Sequence, residues 1–243
     1  MQASATPQAT FDAAAPLCAP QSPLLPRQVS AAAAPLSSAA RDAMLIRTID
    51  VVVSLVTIAV LLPLLVLIAV ALKLTSPGPV LFAHRRIGKG GEVFPCYKFR
   101  SMVVNAAEVL EQHLAHNPEA RAEWQRDQKL RNDPRVTAIG RLLRRTSIDE
   151  VPQIFNVLRG EMSIVGPRPI VRDEIVRYRQ YIVDYMSVKP GITGLWQISG
   201  RNNTTYRRRV ALDTAYARSR NVALDLAIMV RTVPAVLTGS GCY

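Results

Sequence analysis

The chain has 243 residues, enough for one domain with appendages; 49% of them are hydrophobic and 20% charged, and the mean hydropathy is +0.13. Lys and Arg number 30 against 18 Asp and Glu, a formal charge of +12, which calls for an anionic partner such as nucleic acid, phospholipid or a phosphorylated substrate. Collagen, coiled coil, disulfide scaffold and wholly disordered chain are excluded, and the widely spaced Cys18, Cys96 and Cys242 read as reduced thiols.

Residues 1 to 43 are rich in Ala, Pro, Ser and Gln, with Phe11 as the sole aromatic, and such a stretch buries too little apolar surface to offset its ordering entropy. A disordered tail is expected. Residues 44 to 74 carry the apolar run Val51 to Leu72, uncharged between Asp50 and Lys73 and long enough to cross a hydrocarbon core of ~30 Å. A buried core helix would carry charge on one face, and a signal peptide would be shorter and nearer the start, although Ala69-Val70-Ala71 resembles a cleavage site. Pro63 near the middle removes one helix hydrogen bond and predicts a kink, so the helix either spans or enters and returns on the same side. Basic residues on both flanks (Arg41 and Arg47 before, Lys73, Arg85, Arg86 and Lys89 after) place the C-terminal part in the cytoplasm and leave the N-terminus open.

Residues 75 to 243 read as a small catalytic domain. After the turn cluster Thr75 to Pro79, short strands at Val80 to Phe82 and Glu92 to Phe99 are expected around a Gly88 to Gly91 turn. One polar surface helix is predicted from Val104 to Arg131, with His113 and His116 as surface residues rather than metal ligands. Residues 138 to 146, 171 to 188 and 222 to 237 alternate apolar and basic at helical spacing; these amphipathic helices either lie in the headgroup layer or face a core.

The richest stretch chemically is Ser147-Ile148-Asp149-Glu150-Val151-Pro152-Gln153. Ser147 and Glu150 have the spacing of a capping box, which is a wholly structural explanation. Arg141, Arg144 and Arg145 lie just upstream, however, and adjacent carboxylates among arginines can divide two jobs: one attacks phosphorus, the other holds a divalent cation on phosphate oxygens. In Gly166-Pro167-Arg168-Pro169 two prolines stiffen the backbone around one guanidinium, so that it loses less freedom on meeting an anion. No P-loop, dinucleotide glycine fingerprint, zinc-protease helix or nucleophile elbow is present.

Taken in order, Lys98-Phe99-Arg100-Ser101-Met102, Asn132 to Thr137, Arg144, Asp149-Glu150-x-Pro152-Gln153, Gly160 to Pro169, Lys189 to Gln197 and Gly200-Arg201 resemble the bacterial sugar transferase family, the monotopic polyprenyl-phosphate phosphoglycosyl transferases. The likeness covers residues 44 to 243 and is greatest to the short exopolysaccharide type that transfers galactose 1-phosphate. It implies an α/β membrane-associated, monotopic fold: a kinked re-entrant helix, then a cytoplasmic domain of short strands and interfacial helices at the bacterial inner membrane. The implied reaction moves hexose 1-phosphate from a UDP-sugar to undecaprenyl phosphate and releases UMP. Asp149 would be the nucleophile and Glu150 would help bind Mg²⁺. Arg168, and by position Lys98, Arg100, Arg144 and Arg201, would meet phosphate or nucleotide charge, while Asp213 matches a polar family position. The implied partners are UDP-sugar, undecaprenyl phosphate and membrane lipid; a homo-oligomer stays open. In one place the sequence departs from the family: the helix break is commonly Ser-Pro, and here it is Leu62-Pro63, which removes a hydroxyl that could satisfy a freed backbone group.

A membrane-tethered basic protein holding nucleic acid or anionic lipid would account for the charge and the apolar run. It requires neither an acidic pair nor a rigid Pro-Arg-Pro, and an aromatic content of 6% offers few stacking platforms for single strands. No nucleic-acid partner is therefore expected.

Overall fold

The computed structural model describes residues 36–127, 130–200 and 204–237, so the expectations for the tail before Leu36, for Cys18 and Cys242 and for Arg201 fall outside the described residues. The chain is a mixed helix and strand protein headed by one long apolar helix, α1 (Leu36–Thr75), 40 residues in length. Within it Ala40–Thr75 is long and apolar enough to cross a membrane by length and composition. The helix starts eight residues before the predicted boundary at 44 and runs on through Pro63.

Burial along α1 is confined to its two ends. Near the start, Ile46, Asp50 and Ser54 are buried; near the end, Ile68 and Leu72 are, Leu72 at 2% exposure. The stretch between carries Leu55, Val56, Val60, Leu62, Leu64, Val66 and Leu67, all exposed. Both buried ends rest on the domain that follows. Arg47 donates to the carbonyls of Val157 (2.6 Å) and Leu158 (2.8 Å), and the Asp50 carboxylate accepts from Ser163 Oγ (3.0 Å) and the Ile164 amide (2.8 Å). At the other end Leu65, Ile68 and Leu72 pack with Phe99, Ile139, Leu143 and Ile148.

The predicted hairpin is present, with a longer first strand: β1 (Leu81–Ile87) pairs antiparallel with β2 (Val93–Phe99), His84 opposite Cys96 and Arg86 opposite Phe94. The basic run at 84 to 86 is thus strand rather than loop. Asn156, fully buried on α5 (Gln153–Arg159), serves the free edge of β2: its Nδ2 donates to the Pro95 carbonyl (2.6 Å) and its Oδ1 accepts from the Tyr97 amide (3.1 Å). Beneath these bonds Phe94, Cys96, Val157 and Met162 form one core cluster. Cys96 is a free, buried thiol.

The single polar helix expected over 104 to 131 is two, α2 (Ala106–His116) and α3 (Pro118–Asp127). Asn117-Pro118 divides them, because a proline disfavours helical backbone in the residue before it and is itself at ease in a first turn. Helix α4 (Ala138–Arg145) starts on Thr137, whose hydroxyl accepts from the Gly140 amide at 2.9 Å. Segment 171 to 188 is likewise broken, into α6 (Ile175–Tyr178) and α7 (Ile182–Ser187), each preceded by a 3-10 turn, rather than one amphipathic helix. Strands β3 (Ser163–Val165) and β4 (Gly191–Thr193) pair in parallel, followed by α8 (Leu195–Ile198), α9 (Tyr206–Ser219) and α10 (Val222–Leu237). Gly166 and Gly191 allow this pairing to be so close: a Cβ on either would collide with the backbone of the other strand.

Candidate active site

Four segments converge. The C-terminal half of β2 brings Lys98, and the strand then runs into a segment that lies on α4, where the Thr137 amide donates to the Ser101 carbonyl (3.1 Å) and Arg144 Nε donates to Ser101 Oγ (2.8 Å). A 3-10 turn, Ile148–Glu150, leads from α4 toward α5 and carries the acidic pair. The turn after β3 carries Arg168. The pairing of β3 with β4 fixes it, since the Gly166 amide donates to the Thr193 carbonyl (2.8 Å) and the Gly191 amide to the Pro167 carbonyl (2.9 Å).

The capping box expected from Ser147 and Glu150 does not form. Ser147 adopts left-handed backbone (φ 57°) and its side chain makes no capping bond to the turn. The Glu150 carboxylate is turned instead to Lys98 Nζ (2.6 Å) and Arg168 Nη1 (3.4 Å), both at Oε1. Two cations bid for this carboxylate, and the competition that a capping bond offers is weak by comparison. A left-handed non-glycine residue two positions before an acidic pair is the kind of strain that persists where a surrounding structure needs a particular direction of side chain.

The two carboxylates differ in electrostatics although they are adjacent. Asp149 is 8% exposed, and burial pushes its carboxyl above the ordinary value; the Glu150 charge pushes the same way while Lys98, Arg144 and Arg168 pull it down. Burial acts upward on Glu150 too, but the charges of Arg168 and Lys98 and the hydrogen bonds they make outweigh it and hold the group down to about 2. Glu150 is thus a permanent anion and Asp149 a desolvated carboxylate.

A narrow cleft opens beside the pair, lined among others by Lys98, Glu150, Arg168, Arg86, Cys96 and Gln153. Asp149 lies next to this lining rather than in it. Of the residues expected from the sequence, the structure brings together Asp149, Glu150, Lys98, Arg168 and, through its charge on Asp149, Arg144. Arg100 is not with them. Its guanidinium is buried and donates to the carbonyls of Pro77 (2.8 Å) and Ser76 (2.8 Å), where it ties down the turn that follows α1. Successive strand residues face opposite ways, so Lys98 and Arg100 would share a face only if the strand continued, and β2 ends at Phe99. Asp213 is also outside the cleft. It is 1% exposed in the core and accepts from Tyr178 Oη at 2.6 Å, with Arg209 Nε at 3.7 Å; burial raises its carboxyl to about 6.

Arg86 belongs to the cleft and was not expected there. Its Nη1 donates to the Pro169 carbonyl (3.1 Å), and burial, then the neighbouring Arg168 charge, lower its pKa. Hairpin register was the available signal: counting back from Lys98 by twos reaches Cys96, opposite His84, and Phe94, opposite Arg86, all on one face.

The whole folded body is matched by the family model for bacterial sugar transferases, over residues 41–239. The chain belongs to that family. It is 50% identical over 198 residues to the undecaprenyl-phosphate galactose phosphotransferase of Salmonella typhimurium, an alignment covering 81% of this chain and 41% of that protein. It is 47% identical over 197 residues to the exopolysaccharide production protein ExoY of Rhizobium meliloti (81% and 87%) and 48% identical over 197 residues to the UDP-galactose-lipid carrier transferase of Erwinia amylovora (81% and 41%). The chain therefore spans about two fifths of the Salmonella and Erwinia proteins and most of the Rhizobium one.

Proposed function

We propose that the chain transfers hexose 1-phosphate, with galactose 1-phosphate favoured, from a UDP-sugar to undecaprenyl phosphate, as the priming step of exopolysaccharide synthesis. The observation that carries this reading is the buried carboxylate Asp149 held among Lys98, Arg144 and Arg168 beside an open cleft. An Asp149 oxygen attacks the sugar-linked phosphorus. The bond from that phosphorus to the bridging oxygen breaks and its electron pair leaves with UMP. A phosphate oxygen of undecaprenyl phosphate then attacks the same phosphorus, and the aspartyl oxygen departs as the regenerated carboxylate. Phosphoryl transfer asks chiefly for positioning and for neutralised oxygen charge, which Lys98, Arg168 and Arg144 supply. The relatives named for galactose support that sugar; glucose differs in the direction of one hydroxyl.

Mg²⁺ fits the site in one way. Among the described residues no group of three or more His, Cys, Asp or Glu side chains could hold a metal ion. Both cation contacts of Glu150 use Oε1, so Oε2 would hold the ion, with substrate phosphates and water completing its shell. When bound, the ion would supply further neutralisation of phosphate oxygens.

The burial of α1 supports the membrane part of the proposal. A straight span would carry one end of the hydrophobic run to the far side of the bilayer, yet Asp50 and Ser54 on one side and Ile68 and Leu72 on the other rest against one body, while exposed apolar side chains run along the helix from Met44 to Leu74. This supports a re-entrant helix at the inner membrane with the catalytic domain in the cytoplasm. Exposed Leu142 on α4, close to the Leu65 end of α1, supports an interfacial place for that helix.

Two measurements test these readings. Detergent-solubilised protein given undecaprenyl phosphate, Mg²⁺ and a panel of UDP-sugars should release UMP, fastest with UDP-galactose; no release with any of them would reject the reaction. With the native cysteines replaced by serine, Ser30→Cys and Glu119→Cys should both resist an impermeant thiol reagent in permeabilised-outer-membrane cells. Labelling of position 30 alone would reject the re-entrant helix.

A further inference from the structure

The turn that presents Arg168 is gripped from behind. The carbonyl of Arg168 accepts from Arg209 Nη2 (3.4 Å) and the next carbonyl, that of Pro169, accepts from Arg86 Nη1 (3.1 Å). Both arginines lead to one carboxylate. Glu174 Oε1 accepts from Arg209 Nη1 (3.2 Å) and from Tyr206 Oη (3.2 Å); Oε2 accepts from the Val171 amide (3.0 Å) and lies 3.9 Å from Arg86 Nη1. Arg209 has little freedom to swing away, because its guanidinium lies 4.9 Å from the Trp196 ring centre and 5.2 Å from that of Tyr206. Its Nε lies 3.7 Å from Asp213 Oδ2.

We propose that Glu174 is a positioning residue for Arg168: by holding Arg86 and Arg209 on successive carbonyls it fixes the Pro167–Pro169 turn, and so the place where the Arg168 guanidinium meets a substrate phosphate. Glu174 touches no substrate itself. Two like-charged guanidinium groups, Arg86 and Arg168, stand close enough to repel, and the anion behind them is what keeps both in place. Loss of its charge frees Arg86 and Arg209 to follow solvent or Glu150, and the turn loses its two outer anchors. This also explains where Asp213 enters: it steadies the Arg209 side of the same grip.

The proposal rests on the pocket being the UDP-sugar site, and the test separates the two. UMP release is measured for Glu174→Gln, Arg168→Ala and the double variant, over a range of UDP-galactose concentrations, with thermal unfolding alongside. Acting through Arg168, Glu174→Gln should raise KM about tenfold in the wild-type background, with kcat within about threefold, and change KM less than about twofold once Arg168 is already Ala. Equal effects in both backgrounds, or a fall in kcat with KM unmoved, would overturn it. Tyr206→Phe, which removes only one donor to Glu174, decides the matter if Glu174→Gln fails to fold. It should raise KM about twofold and lose that effect beside Arg168→Ala, and no change in KM would overturn the proposal. A wild-type protein that releases no UMP would overturn the pocket assignment and this one with it.

Discussion

Glu150 and Glu174 each hold two basic side chains, and each lies a short step from Arg168, yet the two clusters are built differently. Glu174 has its oxygens filled by Arg209, Tyr206 and the Val171 amide, with Arg86 beyond, and the rings of Trp196 and Tyr206 enclose Arg209. Around Glu150 the cations Lys98 and Arg168 line an open cleft and share a single oxygen, and a second, desolvated carboxylate stands adjacent. The rear cluster turns most of its polar groups on one another, although Arg209 Nε, 3.7 Å from Asp213, makes no hydrogen bond, and that mutual bonding makes it stiff. The front cluster has charge turned toward a ligand, and charge that a fold does not consume is what a phosphoryl transfer site needs.

Variants of the front cluster should cost activity rather than fold. Asp149→Asn removes the nucleophile while keeping size and polarity, and UMP release should drop by roughly a thousandfold or more, with unfolding temperature nearly unchanged. Arg168→Ala should lower kcat/KM by about a hundredfold, most of it as a raised KM, as expected for loss of one charge-assisted contact to a substrate phosphate. Glu150→Gln should lower activity and weaken its Mg²⁺ dependence together.

Between the clusters, pH gives a finer contrast. Attack requires ionised Asp149, whose pKa is raised, whereas Glu150 stays charged down to about pH 2. As pH falls, kcat should be lost in a single acid limb lying above the ordinary carboxylate value; a limb centred near 2 would assign it to Glu150. In the rear cluster the titration acts on stability. Asp213 has a folded pKa of about 6 against 3.8 unfolded, so the folded state binds the proton more tightly, and the stabilisation present below about pH 4 is lost as pH rises through about 6. Relative to Asp213→Asn, the wild-type protein should lose up to about 3 kcal/mol over that interval, read by denaturant unfolding in detergent at pH 4 and pH 8. A constant difference would contradict the assignment.

How much of this was legible in the sequence depended on the range of the interaction involved. The apolar run, the hairpin, α4 and the acidic pair are local patterns of period and turn, and they stand near where they were expected, whereas the Thr137 cap of α4 was not among the expectations. Asn117-Pro118 is a local signal too, and it divides the continuous polar helix that composition alone predicts. The parallel pairing of β3 with β4, the passage of Arg47 and Asp50 to α5 and β3, and the grip of Glu174 on the Arg168 turn depend on residues far apart in sequence, which no window of spacing reports. Arg100 illustrates the cost of reading a motif as a unit: it stands two residues from Lys98, yet the strand ends between them and its charge goes to the turn carbonyls at 76 and 77.

The covalent step is open to direct observation by intact-protein mass spectrometry of wild-type enzyme incubated with UDP-galactose and Mg²⁺ in the absence of undecaprenyl phosphate. One added hexose phosphate should appear on the wild-type chain, map to the peptide containing Asp149, disappear when undecaprenyl phosphate is supplied and never form on Asp149→Asn. An adduct that persists on Asp149→Asn, or a fully active wild-type enzyme that forms none, would contradict the account.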